Sequence, residues 1–235
     1  MTDGLPLWVQ TVAGSIVLYA LYWWLSSSAA VRKRFNSILG NEKSLLWHTL
    51  YQNLCGFVLM GMIPLLYLLI AGESLPAYGL NSAGLAVSFL WVAVLGCIIW
   101  GANFFLARRE SNLKHYPQIR AKNWTVATLA LAGAGWLIYL LGYEFLFRGW
   151  LFFSCLQAMD VWPAIFVNVL IYALAHLPKG MGETLGAIPF GILLCWLTYS
   201  SDNIWAAFGL HACMALSNLY LSFYYHPEMK LVKRK

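Results

Sequence analysis

Glu144 and Arg148 stand four residues apart inside one of the most apolar runs of the chain, residues 140–149. That spacing puts a carboxylate and a guanidinium on the same helix face, one turn apart, where they can pair. Two histidines, His176 and His211, interrupt later apolar runs. Asn168 and Tyr172 precede His176 in steps of four, and Asn218 follows His211 by seven, so each set shares one helix face. Three polar stripes can be hidden from lipid only by facing one another. Together they bring a carboxylate, a guanidinium, two imidazoles and a carboxamide around one cavity, and that inventory suits hydrolysis. Glu144 held beside His176 can take a proton from water. His211 with Asn218 can stabilise the oxyanion of a tetrahedral intermediate. Arg148 holds Glu144 and keeps its charge from being isolated.

Each residue also has a plainer reading. A buried Glu–Arg pair can link helices without chemistry, and a histidine or asparagine in a span can be a helix–helix hydrogen-bond partner. Glu144, His176 and His211 could instead hold a metal such as zinc, although the HExxH spacing is missing. The hydrolytic reading itself requires no cofactor. Glu183 reads as an interfacial cap at the start of a helix.

The elements that must position these groups are membrane helices. Of 235 residues, 61% are hydrophobic and only 10% are charged, against about 25% charged in a soluble domain. The expected fold class is all-α, a polytopic transmembrane helix bundle of about seven spans within a range of six to eight. Spans are expected near 6–27, 45–70, 85–106, 133–157, 162–178, 184–200 and 203–224, the fourth starting as early as Trp124. The chain reads as a single integral-membrane domain, with its chemistry in a core of about 130–225. Pro64 and Pro189 fall inside spans, where neighbouring groups must satisfy the freed carbonyls. The five cysteines form no CxxC pair and read as small buried hydrophobes.

A net charge of +6 would suit nucleic acid if it were clustered on one surface, but the cations lie in short groups between apolar runs. Arg32, Lys33, Arg34 and Lys43 fall in the first loop. Arg108, Arg109, Lys114, Arg120 and Lys122 fall in the third. Lys179 is in the fifth, and Lys230, Lys233, Arg234 and Lys235 form the tail. Loops two, four and six carry no Lys or Arg. This alternation predicts an outside N-terminus and a cytoplasmic C-terminus. The first apolar run has no basic residue before it and reads as a retained span, which suits a multi-pass protein of a bacterial cytoplasmic membrane. The expected partners are the lipid bilayer and a peptide or protein substrate, not nucleic acid. In this topology His176 lies near the cytoplasmic end of its span, and His211 only about eight residues from the outer end of its own. For the two to meet, one of those helices must tilt or begin deeper than hydropathy suggests.

As an ordered set, the three segments resemble the CPBP family of intramembrane proteases, which includes the Rce1-type CAAX prenyl endopeptidases and bacterial Abi-like proteins. The family pattern is EExxxR on one span, FxxxH on the next, and HxxxN or HxxxD on a later one. Here Glu144, Arg148, His176 and His211 match. Tyr143 stands where the family has the first Glu, the residue usually assigned to water activation. Tyr172 replaces the Phe. Ala215 stands where the oxyanion-binding Asn would be, with Asn218 about one turn further on. The resemblance implies an intramembrane endopeptidase with a cytoplasm-facing cavity, in which Glu144 takes over as base with His176. Two other functions remain open, a catalytically silent relative that binds a membrane segment or partner, and a small transporter or proton relay.

Overall fold

Residues whose helices are apolar on every side can satisfy their backbone only within themselves, and this chain does so along almost its whole length. The computed structural model describes residues 5–233. Among the described residues six helices are long and apolar enough to cross a membrane, or seven if the first, bent pair counts as one span. That pair is α1 (Leu7–Ser26) and α2 (Ala29–Leu39), which meet at 41°. The spans that follow are α3 (Asn41–Ile70), α4 (Leu85–Leu106), α5 (Val126–Leu156), α6 (Val161–Leu174), α7 (Met181–Ser201) and α8 (Trp205–Tyr225). Two-residue strands β1 (Asn123–Trp124) and β2 (Lys230–Leu231) pair in parallel. The chain is therefore an all-α, multi-pass membrane protein, with span boundaries within a few residues of those expected from hydropathy.

Local signals explain the starts. Ser28 caps α2 by accepting from the Val31 N–H. Thr125 and Thr128 form a reciprocal capping box at the start of α5, which begins two residues after Trp124.

The loops sort into two ends. Tyr116 of the third loop donates to Glu183 beside the fifth (3.0 Å), and Asn123 donates to Glu42 at the start of α3 (3.2 Å). Lys122 pairs with Glu228 of the tail at 3.3 Å, next to the β1–β2 pairing. Loops one, three and five and the tail thus meet at one end, which carries the basic residues. Arg234 and Lys235 lie outside the described residues. At the opposite end the second and sixth loops join. Asn81 donates to the Asp202 carbonyl, and its own carbonyl accepts from the Trp205 indole.

Two π-helical turns interrupt the core spans, Val58–Met62 in α3 and Phe145–Leu151 in α5. The first runs directly up to the segment holding Pro64, which has no N–H to give the preceding turn. The two spans cross here through glycine. A Cβ on Gly61 would sit 3.0 Å from the Gly142 Cα, and one on Gly142 would sit 2.8 Å from the Phe57 Cα. Small residues let membrane helices approach this closely, and the crossing fixes the backbone immediately before Tyr143 and Glu144. By contrast, α4 fully buries only Ser88 and Gly96, packing on α8 through Val92 and Asn103, whose amide donates to the Met214 carbonyl and to Ser217, and it presents its other face outward.

Candidate active site

Every residue from Tyr143 to Ser154 is buried, and the Glu144 and Arg148 side chains are 0% exposed. Their ion pair forms as the spacing predicts, with Arg148 Nη1 3.3 Å from Glu144 Oε2. The contact is off the hydrogen-bond direction, and Glu144 Oε2 and the guanidinium nitrogens have no hydrogen-bond partner among the described residues. The guanidinium instead lies over the Tyr172 ring, 4.2 Å from its centroid, with Phe147 at 5.9 Å. Aromatic faces and one carboxylate therefore compensate this buried cation.

The other Glu144 oxygen makes a short contact across the site. His211 Nδ1–H donates to Glu144 Oε1 at 2.5 Å. This departs from the expected pairing of Glu144 with His176. His176 turns its Nδ1–H to the Tyr172 carbonyl, 2.8 Å away on its own turn. Each histidine has thus committed Nδ1, which leaves Nε2 free to meet whatever enters the site. Tyr143 stands between them, its ring 6.4 Å from that of His176 and 5.8 Å from that of His211.

Both histidines and Tyr143 line a cavity of about 340 Å³ that extends to Asn112 and Tyr116 at the basic end. Glu144 and Arg148 do not line it. They lie behind His211 and Tyr172. The two histidines do meet, since both rings lie near that of Tyr143. His176 follows the end of α6, in the turn before the 3-10 segment Leu177–Lys179, and α8 starts below the protein surface, with Asn203 and Ile204 both 0% exposed.

Asn218 also lines the cavity, but its side-chain Oδ1 accepts from the Ser222 hydroxyl at 3.0 Å. Seven residues of helix separate it from His211 by about 10 Å along the axis, too far for both to hold one oxyanion closely. Asn168, expected on the same polar stripe as His176, is not in the cavity wall. Its amide donates to the Phe147 carbonyl inside the π turn (2.5 Å), and its oxygen accepts from the Cys195 thiol (3.1 Å). It serves the backbone of α5, as a membrane asparagine often does.

The candidate metal set does not come together as a three-ligand shell. One oxygen of Glu144 holds His211 and the other faces Arg148. Among the described residues no three His, Cys, Asp or Glu side chains are grouped as metal ligands.

Several site residues have no sequence signal. The Tyr19 hydroxyl of α1 donates to the Ala175 carbonyl at 2.6 Å, which pins the turn carrying His176. At the mouth, Tyr116 donates to Glu183, and Lys179 lies 4.0 Å from the same carboxylate. Burial and that carboxylate hold the Tyr116 phenol above its ordinary range. Glu183 does occupy the first turn of α7, as a cap residue would, and it is a cavity wall as well.

The family model described as "Type II CAAX prenyl endopeptidase Rce1-like" matches residues 123–217. The match takes in the Thr125 cap, Glu144, Arg148, His176 and His211, and it ends one residue before Asn218. No curated protein and no solved structure matches the chain.

Proposed function

We propose, from the match of residues 123–217 to the Rce1-like family model, that the chain is an intramembrane endopeptidase. It hydrolyses a peptide bond of a membrane-associated protein or peptide. The observation that carries this reading is the 2.5 Å His211–Glu144 contact beside the cavity. His211 Nε2 takes a proton from water, and the Glu144 carboxylate stabilises the imidazolium that results, as a carboxylate does behind a catalytic histidine. The hydroxide adds to the scissile carbonyl. His176 Nε2 accepts a hydrogen bond from the same water and aims it. Tyr143 offers its O–H to the developing oxyanion, and His211 returns the proton to the leaving amine.

This exchanges the roles expected from the sequence. His211 becomes the base, and Glu144 acts through it rather than on water. Asn218 belongs to substrate binding further along the cavity. The reaction uses no metal in this reading, so cleavage survives exhaustive chelation. The protein spans a cell membrane, on this reading a bacterial cytoplasmic one, and its loop charges put the basic end on the cytoplasmic side.

A second reading, a relative that binds a membrane segment without cutting it, is favoured by one observation. Tyr143 occupies the place of the family's water-activating Glu, and the remaining carboxylate does not reach the cavity. The test is cleavage of a membrane-peptide library by protein reconstituted in liposomes, wild type against His211→Ala. Products made by wild type alone support the protease. Capture of peptides by both proteins, with products from neither, supports the binding protein.

A further inference from the structure

A second cavity, of about 570 Å³, opens between α1, α2, α3 and the third loop, next to the histidine cavity. Its walls divide by chemistry. One part is aromatic, formed by Tyr19, Tyr22, Trp23, Trp136 and Tyr139. The other carries Arg32, Lys114, His115, Arg120 and Lys179 at the basic end. Among the described residues no Asp or Glu lines it. Lys114 pairs with Glu110 only at the exposed surface (2.9 Å), Lys179 reaches Glu183 at 4.0 Å, and Arg32 has no ion-pair partner among the described residues. Arg120 is partly occupied, since its Nη1 donates to three carbonyls of its own loop. One further donor in the wall, Asn53 Nδ2, is buried without a partner in a residue only 6% exposed, and the His48 Nε2, donor or acceptor by tautomer, is buried and unpartnered beside it. Buried donors left unpaired are costly and call for an acceptor.

We infer that this vestibule binds the phosphate of an anionic membrane amphiphile, with the apolar part of that molecule against the tyrosines and tryptophans. The arrangement matches an amphiphile end to end. Cations at the basic end suit a headgroup, aromatic rings line the other part, and the unpaired Asn53 amide lies beside that aromatic wall at Gly135. The inference is independent of proteolysis. It also gives the basic α2 a task beyond topology, because Arg32 is supplied by that helix.

The test uses the purified full chain in an uncharged detergent, with thermal unfolding followed by tryptophan fluorescence. Phosphatidylglycerol, phosphatidylcholine and inorganic phosphate are added separately. Saturating phosphatidylglycerol raises the unfolding midpoint by about 5 °C or more, whereas phosphatidylcholine does not. Arg32→Gln and Lys114→Gln each weaken the phosphatidylglycerol effect about fivefold, since each removes one cation at the headgroup level. Neither residue belongs to the histidine site. Inorganic phosphate matching the lipid would assign the same anion site to a soluble phosphate. An equal shift with phosphatidylcholine, no shift with either anion, or variants that respond as wild type would each overturn the inference.

Discussion

The turn after α6 and the second turn of α8 each hold a buried histidine at one cavity, and they hold it by different means. His176 is oriented by a backbone carbonyl of its own turn, a neutral acceptor that fixes the tautomer and supplies no charge. His211 is oriented by a carboxylate that is itself backed by a buried arginine. A carboxylate stabilises a protonated imidazole far more than a carbonyl does. One histidine is therefore equipped to accept a proton and the other to position a hydrogen bond. Two residues of one type, at similar burial, differ in chemistry because of what stands behind them.

The comparison can be broken most directly at His211. Replacing it with alanine should lower the cleavage rate about 10⁴-fold or more, with membrane insertion unchanged. Glu144→Gln keeps the shape and removes the charge, and should cost about 10³- to 10⁴-fold. A cleavage rate near wild type for Glu144→Gln would remove the basis for separating the two histidines. His176→Ala should cost less, about 10²-fold, read in the same liposome assay. Tyr143→Phe should cost about tenfold, the value of one hydrogen bond to the oxyanion. A total loss there would move the chemistry from His211 to the tyrosine.

The sequence disclosed what depends on neighbours in the chain. The spans were legible because lipid imposes its own length on apolar runs, and the alternating cations of the loops identified the end at which those loops meet. The Glu144–Arg148 pair was legible because four residues make one turn. The His211–Glu144 contact joins residues 67 apart, and no spacing rule reaches that far. Which histidine faces the carboxylate is decided by the crossing of α3 and α5 at Gly61 and Gly142, and by the π turn at Phe145–Leu151, whose extra residue per turn is invisible to hydropathy. The same turn explains Asn168, which read as a cavity group because it shares a face with His176. The Phe147 carbonyl took it instead.

The glycine crossing of α3 and α5 makes the site sensitive to a single methyl group. A Cβ on Gly61 or Gly142 would press on the backbone of the other span and not on a side chain that can swing away. Alanine at Gly142 must therefore part the two spans, and the turn that carries Tyr143 and Glu144 moves with them.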